Sequence, residues 1–286
     1  MKIKLLFLLL FLCLAGCRTS KVPKVKLSQF PSNAITASYA VEGRKVTFSF
    51  GNELLSPVRI HIHSEDTVIM NHFNGKNPLV MPSQKDTSFH ITLPDLFDPK
   101  ITFSSALGDP SRKVNLNNVS LPIKKDTPVG IIQGYNSSYS HNEDYSRYAL
   151  DFNIKENDTI YAATNGVVIG VIRDYIHGGP SGEWKGFDNF ITIYDPDSGL
   201  YTQYVHLVHL GNLVNIGDVV KQGDPVGLSG KTGYAGAAHL HFNTLVPVEG
   251  GGLISVPVNF LEGYKGTELR KGQKVIRPGV NELVEE

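Results

Sequence analysis

From residue 121 to 264, glycine punctuates a series of short apolar runs, and no long amphipathic helical pattern appears anywhere in the chain. Runs such as Val167-Val168-Ile169-Gly170-Val171-Ile172 are of strand length. Turn residues between them predict an antiparallel β domain with long loops. Ile191-Thr192-Ile193-Tyr194 is expected to pair with Tyr201-Thr202-Gln203-Tyr204 across the turn 195–199. Asn165-Gly166 stands between the apolar runs 159–163 and 167–172 and predicts a type I′ hairpin. Gly217-Asp218 and Gly223-Asp224 mark further turns. Residues 173–189 form a long loop with four glycines, His177 and the only tryptophan, Trp184. Such a loop either walls a cleft or is a tolerated surface insertion.

Residues 34–119 are also strand-like. Val46-Thr47-Phe48-Ser49-Phe50 and Val58-Arg59-Ile60-His61-Ile62-His63 alternate strictly, and Asn74-Gly75 and Leu93-Pro94-Asp95 supply turns. The expected fold is therefore all-β. An immunoglobulin-like β-sandwich over 33–120, a spacer or interaction module, precedes the antiparallel sheet domain of 121–265. A length of 286 residues fits two domains. Lys+Arg and Asp+Glu balance at 27 each, so no basic excess points to nucleic acid. Residues 266–286 read as a C-terminal tail.

At the N-terminus, Lys2 and Lys4 precede an apolar run over 5–15. The run is too short to span a bilayer and fits a secretory signal. Leu14-Ala15-Gly16-Cys17 resembles the bacterial lipobox. The resemblance implies a signal peptide over 1–16, cleavage before Cys17, lipidation of its thiol, and a tether over 17–32. Losing Lys2 and Lys4 leaves 27 − 2 = 25 basic against 27 acidic residues. A body so near neutrality gains little from anionic lipid, so membrane attachment would come from the anchor. The implied location is the cell envelope, facing periplasm or exterior. Cys13 leaves with the signal, so the remaining Cys17 has no internal disulfide partner.

The chemistry concentrates in Ala238-His239-Leu240-His241-Phe242. On a strand, His239 and His241 face one way while Leu240 and Phe242 turn into a core. Imidazoles in that setting ligate zinc or stabilise an oxyanion. Tyr204-Val205-His206-Leu207, and His141 with Asp151, add to a metallohydrolase pattern. His61-Ile62-His63 has the same local form, but Arg59 shares its face and no Asp or His partner is recognisable. It reads as a polar solvent face, as do His72 and His90. His209 reads as a rim residue. Asp195, Asp197, Asp218 and Asp224 read as turn residues.

Taken together, Gln133-Gly134-Tyr135, Ser140-His141, Tyr148-Ala149-Leu150-Asp151-Phe152, Tyr204-Val205-His206-Leu207 and Gly233 with His239-Leu240-His241-Phe242 resemble the M23 (lysostaphin/LytM-type) zinc metallopeptidases. The resemblance implies one zinc ion per chain, held by His141, Asp151 and His241. It implies His206 and His239 as the catalytic pair that handles the water proton and the oxyanion, with the division between them open. Three positions depart from the commoner pattern. Arg147 stands four residues before Asp151 where histidine is usual, leaving His141 ten residues back; Asn243 replaces a glutamate; and Glu156-Asn157-Asp158 replaces a Gly-Thr turn. The implied function is a zinc endopeptidase cutting peptide cross-links of bacterial peptidoglycan. The alternatives are an inactive relative that acts as an envelope scaffold or activates another cell-wall hydrolase, and a lipoprotein whose sandwich binds glycan or protein.

Overall fold

Alternating apolar and polar residues build the first half. A computed structural model describes residues 26–31, 33–96 and 98–279. The signal segment, Cys17 and most of the tether lie outside these, as do residues 280–286. Strands β1 (Ile35–Glu42), β2 (Lys45–Asn52), β3 (Val58–Ser64), β4 (Leu79–Met81), β5 (Lys85–Thr92) and β6 (Ile101–Leu107) form two antiparallel three-stranded sheets, ordered β1-β2-β5 and β4-β3-β6. Val46, Phe48 and Phe50 of β2 and Val58, Ile60 and Ile62 of β3 enter one shared core. An immunoglobulin constant-type sandwich has seven strands; this unit has six among the described residues. The one α-helix described, Thr67–His72, starts where the Asp66 carboxylate accepts from the amides of Val68 and Ile69.

The second half holds β7 (Val129–Gln133), β8 (Leu150–Phe152), β9 (Thr159–Tyr161), β10 (Gly166–Ile172), β11 (Gly178–Gly179), β12 (Phe190–Tyr194), β13 (Tyr201–Val205), β14 (Leu207–Asn212), β15 (Val219–Val220), β16 (Pro225–Ser229), β17 (Gly233–Tyr234), β18 (Leu240–Pro247), β19 (Leu253–Ser255) and β20 (Lys274–Val275). Nine of them make one sheet in the order β15-β10-β12-β13-β18-β8-β7-β20, with β19 on β18. The strands β14-β16-β9 form a second sheet. Leu240 and Phe242 of β18, Phe152 of β8, and Ile191 and Ile193 of β12 share a large core.

The pairing of β12 with β13 is as expected, with Ile191 opposite Tyr204. The hairpin at Asn165-Gly166 does not form. Strand β9 pairs with β16, whereas β10 pairs with β12 and β15. Residues 162–165 instead carry the chain between sheets, and the Asn165 side chain accepts from the Gln222 amide. The tail is corrected in part. Leu269 and Val275 lie in the large core, and Lys274 pairs with Gly130 of β7. At the other end, Val119 is fully buried in the same core, just before the boundary expected at 121.

The two units touch. Leu107 and Leu55 pack against the cluster of Ile169, Tyr194, Tyr201 and Leu245. Buried Arg59 donates to the carbonyls of Leu107 (2.7 Å), Val248 (2.8 Å) and Gly252 (2.9 Å), and also to that of Gly251. The loop it holds, 248–252, directly follows β18.

Candidate metal centre

Sheet register brings the three expected ligands together. His241 on β18 stands opposite Asp151 on β8. His141 comes from the loop between β7 and β8, which turns back where the His141 amide donates to the Ser137 carbonyl (3.0 Å). The ten-residue spacing is thus closed by the loop. The His141 Nε2 lies 3.2 Å from Asp151 Oδ1 and 3.3 Å from His241 Nδ1, and His241 Nδ1 lies 2.9 Å from the same carboxylate oxygen. His141 and Asp151 are buried, and His241 is partly exposed. These three form the metal-competent cluster found among the described residues.

The donor chemistry fits a divalent ion. His141 Nδ1 donates to the Gly134 carbonyl at 2.9 Å, so in the neutral ring Nε2 carries the lone pair. That lone pair, His241 Nδ1 and a carboxylate oxygen converge within hydrogen-bond distance. Such electron-rich groups meet only around a proton or a cation. Burial alone would raise the Asp151 pKa, but the His141 and His241 rings, where they carry a proton in place of a cation, outweigh burial and hold the group well below the usual carboxylate range. Burial likewise lowers the His241 pKa against the pull of Asp151. Both shifts keep the groups in their ligating forms.

His206 and His239 stand beside this cluster, with ring centroids 4.6 Å apart. His206 follows β13 at φ +68°, a left-handed kink unusual for a non-glycine residue. Gly230 permits the kink, because a Cβ there would stand 2.5 Å from the Val208 nitrogen and 2.8 Å from the His206 carbonyl. Asn189 braces the same turn. Its side chain donates to the Tyr175 carbonyl at 2.7 Å and to those of Leu207 and Val208. His206 Nδ1 faces the Thr232 carbonyl at 2.8 Å and Asp188 Oδ1 at 3.1 Å. Burial opposes its charged form, yet Asp188 above all outweighs burial, so the His206 pKa is raised. His239 Nδ1 donates to the Ala237 carbonyl at 2.9 Å, and its Nε2 lies 3.8 Å from Asp151 Oδ2. Burial, and then His206, push the His239 pKa down to about 4.

Four of these five residues (Asp151, His206, His239 and His241) line a cleft of about 580 Å³; His141 is fully buried behind it. The loop 173–189 is one wall, through Lys185, Gly186 and Asp188. Of its two readings, the cleft wall is the one the structure bears out. The His141 loop forms the facing wall, tied across by Lys185 to Glu143 (2.8 Å) and by Tyr139 stacked on Tyr234 (5.5 Å). Gln29, from the segment before β1, also lines the cleft and accepts from Thr192 Oγ1 at 3.0 Å. Asp188 is the residue that sequence reading missed.

The remaining positions resolve simply. Asn243 is buried and donates to the Tyr145 carbonyl at 2.6 Å, tying down the His141 loop. Asn157 takes φ +70° in the turn after Lys155. Asp195, Asp218 and Asp224 accept from amides two or three residues away, as turn residues do. His209 is exposed.

The second unit thus carries a His141-Asp151-His241 group that could hold a metal ion, set beside a cleft in an all-β domain. The sequence model described as Peptidase family M23 matches residues 145–250, beginning just after His141. The catalytic domain of the antimicrobial peptidase lysostaphin from Staphylococcus simulans is similar, at 27% identity and TM-score 0.30 over 42% of this chain and 80% of that one. LytU is similar at 26% identity and TM-score 0.30, over 47% and 79%. A zinc-containing peptidase from Vibrio cholerae is similar at 15% identity and TM-score 0.30, over 73% and 81%. No curated protein matches the chain.

Proposed function

We propose that the protein is a zinc-dependent endopeptidase that hydrolyses peptide cross-links of bacterial peptidoglycan. The observation that carries this reading is the convergence of His141, Asp151 and His241 at 2.9–3.3 Å beside a cleft. The match of residues 145–250 to a peptidase family supports it.

His141, Asp151 and His241 would hold one zinc ion. When bound, zinc supplies Lewis-acid polarisation of a carbonyl and a more acidic water. The chain's own groups divide the proton work. His239 keeps its Nδ1 proton on Ala237, so in the neutral ring its Nε2 is a free base. With a pKa of about 4 it is unprotonated at neutral pH and can accept a proton from the attacking water. His206 is biased the other way. Its Nδ1 is engaged by Thr232 and Asp188, leaving Nε2 to donate to the developing oxyanion or the departing amine.

The lipobox-like segment supports lipidation at Cys17 and attachment to the envelope membrane, beside such a substrate. Cys17→Ser should release the protein from membranes on fractionation. The activity is tested by digesting purified cell wall and identifying products by mass spectrometry, with and without a chelator. New chelator-sensitive peptide termini are expected. A protein that binds zinc yet yields none would fit a scaffold and overturn the enzyme.

A further inference from the structure

Asp188 lies in the cleft-wall loop and meets three partners. Its Oδ1 is 3.1 Å from His206 Nδ1 and accepts from the Tyr234 amide at 3.1 Å, and its Oδ2 accepts from the Gly186 amide at 3.2 Å. The side chain is only 17% exposed. No lysine or arginine among the described residues pairs with it, and the nearby Lys185 is taken by Glu143. Among the described residues, the group placed to share a proton with this carboxylate is therefore His206.

Space is kept for the pair. Gly233 takes φ +73°, and a Cβ there would overlap Asp188 Oδ1. Only glycine at 233 lets the carboxylate reach both the imidazole and the Tyr234 amide. The backbone on the other side is fixed as well. Thr232, whose carbonyl is the second acceptor for His206 Nδ1, donates its hydroxyl to the Leu207 carbonyl at 2.7 Å and accepts from the Asn189 amide at 3.0 Å.

We propose that Asp188 is the positioning residue of His206, holding the proton on Nδ1 and fixing the ring so that Nε2 serves the cleft. A carboxylate on the far nitrogen of a working imidazole selects both its tautomer and its orientation. The inference rests on reading His206 as a catalytic group, but its structural half stands apart from any activity.

The test compares the zinc-loaded full chain with Asp188→Asn and Asp188→Ala. Zinc content and KM are expected to hold, and kcat on cell wall to fall roughly 10- to 100-fold. That is less than the ~10⁴-fold known for a buried triad carboxylate, because the Thr232 carbonyl still accepts the proton. The discriminating readout is the nitrogen-15 NMR signature of the His206 ring. Recorded at a pH high enough for the ring to be neutral, the wild type should show a single Nδ1–H tautomer, and the variants a mixture. An unchanged tautomer in both variants, or kcat within twofold of wild type, would overturn the proposal. A tautomer change in a protein that never cleaves cell wall would uphold the positioning and sink the hydrolase reading instead.

Discussion

The chain carries the same three-residue pattern twice, and among the described residues only one copy has a carboxylate and a third imidazole beside it. His61-Ile62-His63 on β3 and His239-Leu240-His241 at the start of β18 both put two imidazoles two residues apart. The neighbouring strand separates them. Opposite His241 stands Asp151, and His141 folds in from a loop. Opposite His61 and His63 stand Ser104 and Thr102. The first pair stacks at 6.3 Å with His63 Nε2 on the Ser104 hydroxyl, and burial, then Arg59, then its neighbour lower the His61 pKa. Spacing along a strand supplies two nitrogens; a metal site also needs a carboxylate brought across the sheet.

The comparison can be broken at the carboxylate. Asp151→Ala should lose both zinc and cell-wall cleavage to background, as seen by elemental analysis and product mass spectrometry. Next in size, His206→Ala should keep zinc and lose about 10²–10⁴-fold in kcat, the usual worth of a positioned acid or base. Retained activity there would remove His206 from the mechanism. Arg59→Ala leaves the carbonyls of 248–252 short of a donor. A loss of about 1–3 kcal/mol is expected in denaturant unfolding, with zinc binding intact. Smallest of all, His61→Ala with His63→Ala should leave zinc content and cleavage unchanged and shift stability by no more than about 0.5 kcal/mol. A loss of zinc there would mean that the two pairs are not as different as their surroundings indicate.

Much of the site was legible because strand periodicity is local. Leu240 and Phe242 are buried at 0% and 2%, as the alternation requires, and β12 pairs with β13 across the expected turn. What failed depends on distant partners. Asn165-Gly166 has ideal hairpin chemistry, but β9 finds its partner in β16 and not in β10. Strand β20 is two residues long, too short to show a period, yet Val275 is fully buried. Asp188 looks like any aspartate in a glycine-rich loop. Its contact with His206 follows only from the kink at 206 and the space left at Gly233.

One zinc ion held by His141, Asp151 and His241 is what the proposed activity depends on. That binding is tested most directly by elemental analysis of the purified full chain after equilibration with zinc and desalting, beside Asp151→Ala. The account predicts about one zinc per wild-type chain and none in the variant. A wild-type chain without stoichiometric zinc, or a variant that keeps it, would contradict the account.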